Sequence, residues 1–342
     1  MYNVFDMSNT NRLTFATQGD ALSYHAEAAR TLAGNDIDYD AHRDFGEVVK
    51  ASRLGYPGLG VIAISTVAGT VDDSAKQVVR KRVSALPDVV ARVDLPVKLA
   101  LIGAEPMDEE ELRRYMGVRI LAQGAAYLQC KPVLDEIAPY RKFMQRKESI
   151  EAAREAMAAS RVPAKEGKKK HPHLAIAPAH AAAPLGGVVI GPEQINPPGS
   201  VTSFYALQRD PRVLMFEEDP EKTDHRTVIS LAHPEGPGEF DKVLDLADAM
   251  GINVSRFIPF DIGDFTKHDQ NIRRGGGIFE LGHDLYDPEM LEWFSRVVGI
   301  GANDGVRGPF DVNKLGGFMW YPEDNLDLVQ LSEAYSKRAA SD

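Results

Sequence analysis

Hydrophobic positions along the first part of the chain keep two alternating rhythms. Short apolar runs bounded by glycine or turn residues give way to stretches in which apolar side chains recur every three or four positions. Leu13 and Phe15 open a strand, Gln18-Gly19-Asp20 turns it, and Leu22, Ala26, Ala29 and Leu32 fall on one face of a helix. A second helix is predicted over 44–54. Val61, Ile62, Ala63 and Ile64 form an unbroken apolar run, as in a strand covered on both faces, which stops at the hydroxyls Ser65 and Thr66. A third helix is predicted over 72–86, with Asp72 and Asp73 suited to its first turn. A strand over 97–102, a short helix over 109–116, a strand that turns into a helix at Gly124, and an alanine-rich helix over 149–160 follow. RVPAKEGKKKHPH (161–173) breaks the rhythm with Pro, Gly and a basic run, so it reads as a loop. LAIAPAHAAAPLGGVVI returns to strand, helix, strand, and a strand over 204–207 closes the unit.

Such alternation predicts α/β layers with parallel sheets. Ligands of open parallel sheets bind beyond the carboxyl ends of strands. That directs attention to 17–23, 65–70, 123–126 and 201–203. After about 219–224 the rhythm changes. HRTVISLAHPEGPGEFDKVLDLADAMGINVSRFIPFDIG reads as strand, helix, strand; GGGIFELGHDLYDPEMLEWFSRVVGI reads as strand, helix; GVRGPFDVN is a closing strand. The order βαββαβ is ferredoxin-like. A polar tail with one amphipathic segment, 326–335, ends the chain. The expected domains are 12–212, 223–312 and a C-terminal extension over 313–342.

Bulk properties narrow the function more than the fold. With 342 residues the chain has room for two or three cores. A net charge of -11 and a pI near 5.4 argue against a nucleic-acid partner, which needs a clustered positive footprint. The single cysteine, Cys130, allows no intramolecular disulfide and points to a reducing compartment. MYNVFDMSNTNR lacks a signal-peptide pattern, and no apolar run approaches the length of a membrane span. A cytoplasmic protein with no membrane partner is expected. His171, His173 and His180 fit no standard metal spacing, so no metal is expected. The run 165–170 reads as a solvated loop. RRGGGIFELG lacks the Gly-Lys-Ser/Thr ending of a phosphate loop and suits a long hairpin connection better.

Several motifs in one order resemble the prephenate dehydratase family. TQGDALSYHAEAA stands where the family has Gly-Pro-x-Gly-Thr-Phe-Ser and a helix, and Ser23 matches the serine. AISTVAGTV stands where the family has Glu-Asn-Ser followed by Gly-Ser/Thr-Val: Gly69, Thr70 and Val71 match, whereas Ser65, Thr66 and Val67 replace Glu-Asn-Ser. AQGAAYLQC keeps Ala126, Gln129 and Cys130 of the next helix but not its histidine. Thr202-Ser203-Phe204 takes the place of Thr-Arg-Phe. In the second unit, GPGEFDKVL and GINVSRF resemble the ACT pattern, while IPFD (258–261) replaces the Glu-Ser-Arg-Pro signature of phenylalanine sensing.

The resemblance implies a two-lobed catalytic domain like type II periplasmic binding proteins, followed by an ACT domain, with a homodimer formed through ACT edge strands. It makes Thr202 the catalytic proton donor, although a threonine acts as an acid only in a positioned, water-poor site. Ser23, Ser65, Thr66 and Thr70 would orient a small anionic substrate, and Ser203 would line its pocket. Backbone amides at the turn 19–23 and at 68–70 offer places for a carboxylate. His233 and the turn Gly236–Gly238 would take an amino-acid effector, or only shape the turn. No cofactor is needed, because loss of carbon dioxide and water from prephenate asks only for an acid and a shaped cleft. The missing Glu-Asn-Ser and arginine resemble prephenate decarboxylases. Two functions follow: a divergent lyase acting on prephenate or a related cyclohexadienyl or aromatic-pathway acid, or a non-catalytic small-acid binding protein. A cation facing the cleft (Arg80, Lys98 or Arg119) would favour the first; its absence would favour the second. Ser23 can equally be a helix cap, Ser65 and Thr66 can be strand-end hydroxyls bonded to backbone, and Cys130 a small buried hydrophobe.

Overall fold

Two mixed sheets carry the first two hundred residues, and the second unit extends one of them. The computed structural model describes residues 12–54, 58–66, 69–70, 88–163, 171–209, 224–234, 239–261, 274–283, 287–303 and 311–320. In the first lobe β1 (Leu13–Gln18) pairs in parallel with β2 (Ile37–His42) on one side and β3 (Leu59–Thr66) on the other. β11 (Val201–Gln208) runs antiparallel between β3 and β5 (Asp88–Pro96), and the short β4 (Gly69–Thr70) folds back on β3. Helices α1 (Tyr24–Ala33) and α2 (Phe45–Leu54) lie against this sheet. Phe15, Val61, Ile62, Ile64, Phe204 and Tyr205 form the centre of the core. α1 starts at Ser23, whose Oγ accepts from Ala26 N at 3.2 Å.

The second lobe holds β6 (Leu99–Gly103), β7 (Arg119–Gln123), β8 (Lys142–Arg146), β9 (His173–Pro178) and β10 (Val188–Ile190), in the order β10-β6-β9-β7-β8. Its helices are α3 (Glu109–Arg114), α4 (Gly124–Ile137) and α5 (Ser149–Arg161). Two apolar clusters, one on each face of the sheet's central strands, make its core. The chain crosses between the lobes twice, from β5 to β6 and from β10 to β11. Asn196 ties these crossings together: its Oδ1 accepts from Leu99 N at 2.7 Å and its Nδ2 donates to Val97 O at 2.9 Å.

The remaining elements are β12 (Asp224–Pro234), α6 (Glu239–Ala249), β13 (Val254–Asp261), β14 (Arg274–Leu281), α7 (Pro288–Asn303) and β15 (Asp311–Trp320). They form an antiparallel βαββαβ unit in the order β13-β14-β12-β15, with its own core around Phe279, Trp293 and Met290. β15 also meets β5 in parallel at Gly316 and Val89, which makes one ten-stranded sheet of the first lobe and this unit.

Several expectations change. The sheets are mixed rather than parallel, because β11 returns from the second lobe in the opposite direction to β3. The alanine-rich stretch after β9 makes only a single 3-10 turn, Ala179–Ala181, before Gly186 and Gly187 lead into β10. β2 and β8 carry too many polar or charged residues to announce themselves as strands, whereas β5 does alternate, with Val89, Ala91, Val93 and Leu95 buried, and adds a strand that was not expected. The closing strand runs on to Trp320, past the expected boundary at 312. The predicted helix over 72–86, the basic run 165–170 and the segment 326–335 lie outside the described residues.

α2 approaches β3 closely because Gly60 offers no side chain. A Cβ there would collide with Ser52 Oγ, which donates to Val48 O at 2.8 Å in a buried bond. Gly60→Ala is therefore expected to lower stability by about 1–3 kcal/mol. Adding Ser52→Ala should recover part of that loss. Chemical denaturation of both variants checks it, and equal stability of Gly60→Ala and the native chain would refute the close packing.

Candidate functional site

The carboxyl ends of β1 and β3 and the start of β11 face the amino ends of α4 and α5 across a cleft with about 740 Å3 of free space, its open mouth included. Gln18, Ser23, Tyr24, His25, Thr66 and Thr202 line it from the first lobe, with Phe45 and Phe204 as apolar walls. Gln123, Ala126, Gln129, Glu148 and Ser149 line it from the second. Strand pleating alone would put Ala63 and Thr66 on opposite faces of β3. They share the cleft face because the register between β3 and β11 slips by one residue beside Ser203 and Phe204, so that Thr202 pairs with Thr66 but Phe204 pairs with Ala63.

Of the sequence candidates, Ser23, Thr66 and Thr202 come together here. Ser23 and Thr202 are buried, and Ser23 spends its hydroxyl oxygen on the helix cap. Ser65 and Ser203 do not join them. They turn to the other face of the sheet, where Arg256 of β13 donates through Nη2 to both hydroxyls, to Ser203 Oγ at 2.8 Å. The expectation that Ser203 lines the pocket fails because neighbouring residues of a strand point to opposite faces. Thr70 sits opposite Ser65 in β4. His233 lies on β12 opposite Gly275, and Gly236 and Gly238 lie outside the described residues.

The electrostatics of the lining are unusual for an anion site. No lysine or arginine lines the cleft among the described residues. Lys98 is exposed between the lobes, and only its backbone is engaged, by Tyr24 Oη, which donates to Lys98 O at 2.7 Å and accepts from Lys98 N at 2.6 Å. Arg119 lies at the far end of β7 beside His173, at 3.2 Å. Arg80 lies outside the described residues. Among the described residues the one charged side chain in the lining is Glu148. It caps α5, its two oxygens accepting from Ile150 N at 2.7 Å and Glu151 N at 2.6 Å. Burial raises its pKa, and the two backbone bonds oppose that rise.

Sequence reasoning missed His25 and Glu148. His25 packs between Phe45 and Phe204, and Ala63 N donates to its Nε2 at 3.3 Å. That bond leaves the ring proton on Nδ1. Burial pushes its pKa down to about 3, so the ring is neutral. The signal for both residues was position: each stands in the first turn of a helix that begins at the end of a strand or loop, where ligand-facing groups of this fold class collect. Cys130 is fully buried in the second lobe, and burial pushes its thiol up to about 12, which fits a packing role.

The two sides of the cleft touch at one corner. Gly19 adopts φ +80° and packs on Glu148 so closely that a Cβ would fall 2.8 Å from Oε1. Beside it Arg154 pairs with Asp20, and His180 Nε2 lies 2.9 Å from Leu22 O. α4 differs from α1 and α5 at this cleft: its N-cap residue, Gln123, makes no side-chain cap bond, so the first amides of α4 face the cleft without an internal acceptor from that residue. Among the described residues no cluster of three His, Cys, Asp or Glu side chains is placed to hold a metal, and no helix is long and apolar enough to cross a membrane.

The sequence profile of the family described as prephenate dehydratase matches residues 15–212. No curated protein matches the chain. A prephenate dehydratase from Arthrobacter aurescens, solved in complex with L-Phe, superposes with a TM-score of 0.65 at 15% identity, covering 96% of this chain and 98% of its own. The prephenate dehydratase of Staphylococcus aureus subsp. aureus Mu50 gives 0.60 at 15% identity, covering 90% and 100%. GqqA, described as a novel type of quorum quenching acylase, gives 0.60 at 18% identity, covering 90% and 98%. At these identities the superpositions speak for fold alone.

His25 makes a pH prediction. Its folded pKa is depressed, so the unfolded chain binds more protons and its contribution to stability is complete above pH 6.5 and lost as pH falls toward 3. The slope attributable to this one group approaches about 1.4 kcal/mol per pH unit. His25→Gln should flatten the fall in stability across that window relative to the native chain, and parallel curves from urea denaturation at several pH values would refute the assignment.

Proposed function

Because the chain belongs to the prephenate dehydratase family, we propose that its interlobe cleft is the site of a divergent lyase, which acts on prephenate or a related cyclohexadienyl or aromatic-pathway acid by dehydration, decarboxylation or both. The observation that carries this reading is the pair Thr202 and Thr66, register partners on neighbouring strands that both face the cleft. In the proposed reaction the bond to the departing carboxylate breaks, and its electron pair enters the ring as carbon dioxide leaves. In decarboxylation alone that pair takes up a proton at a ring carbon; in dehydration it moves through the ring and expels the hydroxyl, which departs as water with a proton from Thr202. Phe45 and Phe204 supply apolar walls for the ring, and the buried site keeps bulk water away from the threonine. The substrate carboxylate is assigned to the amides at the start of α4, with Gln123 and Gln129 as neighbours and Ser23 and Thr66 as orienting groups; Thr70, register partner of Ser65, is proposed as a third. No cofactor is required by this chemistry.

A second reading, a non-catalytic small-acid binding protein, has an observation of its own. The described lining offers no cation to a dianion and already contains the carboxylate of Glu148. In both readings the βαββαβ unit is an ACT-like domain for an amino-acid effector at His233, Gly236 and Gly238, the assembly is a homodimer and the location is the cytoplasm.

Incubation of the purified chain with prephenate, followed by mass and ultraviolet absorbance, separates the readings. Phenylpyruvate indicates dehydratase chemistry, a non-aromatic keto acid lacking carbon dioxide indicates decarboxylation alone, and untouched prephenate favours the binding protein. Thr202→Val keeps the shape but removes the proton. It is expected to reduce kcat by about a hundredfold or more with little change in KM. An unchanged kcat would remove Thr202 from the mechanism.

A further inference from the structure

Arg256 reaches the cleft strands from outside the two lobes. It sits on β13 of the C-terminal unit, and its side chain is about one quarter exposed. One nitrogen, Nη2, donates to Ser65 Oγ on β3 and to Ser203 Oγ on β11. The other, Nη1, lies 3.8 Å from Asp94 Oδ1 on β5 and 3.9 Å from Glu280 Oε1 on β14. Two carboxylates thus balance the charge of the guanidinium at ion-pair distance, and its Nη2 edge spans two strands that the backbone ladder alone must otherwise hold in register.

That ladder is interrupted at this point. The slip between β3 and β11 falls beside Ser203 and Phe204, one residue from the Thr202–Thr66 pair. A bulge raises local twist and weakens the definition of side-chain direction. Ser65 precedes Thr66 and Ser203 follows Thr202, and in each pair one side chain faces Arg256 and the other faces the cleft. A bond that holds the serine on one face sets the rotation of the strand about its own axis, and so sets where the threonine points on the other.

We propose that Arg256 is a positioning residue for the cleft: by holding Ser65 and Ser203 from behind, it fixes the direction of Thr66 and Thr202, so that the C-terminal unit supplies a part of the site. The kinetic part of this inference rests on the lyase reading; the geometric part does not.

The test uses the full chain with Arg256→Ala, Arg256→Lys and the milder Ser203→Ala, which leaves the arginine paired with Asp94 and Glu280. Prephenate turnover and amide hydrogen exchange are measured on each. Arg256→Ala is expected to lower kcat about tenfold or more while KM moves little, since small misplacement of a reacting group is costly even when binding survives. Exchange should quicken at 63–66 and 201–204 and stay unchanged in β1 and β2. Ser203→Ala should show the same pattern more weakly, and Arg256→Lys, with a charge but no fork, should restore only part. Native kcat and native exchange in both alanine variants would overturn the proposal. So would a uniform rise in exchange across both lobes, which marks general destabilisation. Should the native chain leave prephenate untouched, the lyase reading falls on its own, and the exchange pattern still decides whether Arg256 holds the strand ends.

Discussion

A carboxylate taken wholly out of water has to be met by charge and hydrogen bonds where it sits. Glu280 of β14 is fully buried, and its partners come from the other part of the chain: Arg92 of β5 pairs with Oε2, and Tyr205 Oη donates to Oε1 at 2.7 Å. Asp94 lies beside Arg92 at 3.2 Å, and Arg256 stands over the same group. The ion pair joins residues 188 positions apart in sequence. Removing one partner of such a group leaves an uncompensated buried charge, a penalty of about 3–5 kcal/mol. The position of the C-terminal unit against the first lobe therefore follows from one side chain that cannot be left alone, and the continuous sheet through β15 and β5 agrees with it. Burial and the adjacent carboxylate also raise the pKa of Tyr205, so its proton stays in place for the bond.

On the opposite face the same strands present a cleft made of neutral groups. Among the described residues, hydroxyls, amide side chains, helix-terminal amides and a neutral imidazole surround an apolar interior, and the single carboxylate is spent on the start of α5. The charge of this region has been moved behind the sheet. Arg92, Arg256, Asp94 and Glu280 balance one another there, out of reach of a ligand. Among the described residues a carboxylate bound in the cleft would meet oriented dipoles rather than a cation, an arrangement that favours ligands of smaller charge over dianions.

Much of this architecture was legible where apolar pattern and local geometry agree. Val61 to Ile64 announced β3, Ser23 announced the start of α1, and the βαββαβ order of the C-terminal part followed from the spacing of its apolar runs. β2 and β8 were illegible because an edge strand of IDYDAH or KFMQR has little apolar pattern to show. Thr202, Thr66 and Ser23, singled out from order and motif, all line the cleft. Ser65 and Ser203 were singled out together with their neighbours Thr66 and Thr202, and strand alternation leaves only one of each adjacent pair on the cleft face. Arg256 was illegible for a different reason. Its partners are tertiary, lying 191 and 53 residues away, and nothing local marks an arginine in a strand as a clamp on two distant strands.

The junction of β15 with β5 also constrains how the protein is made. Val89 leaves the ribosome long before Gly316, its partner. The first lobe has all its own strands once β11 has emerged, yet its sheet then ends in β5, an unpaired edge with open backbone donors and acceptors. Until the last strand of the C-terminal unit arrives, a nascent chain carries a ready template for pairing with a neighbour. Arg92 and Asp94 on that strand place charges at the waiting edge. The groups that later hold the finished protein together thus serve, during synthesis, to discourage the wrong companion.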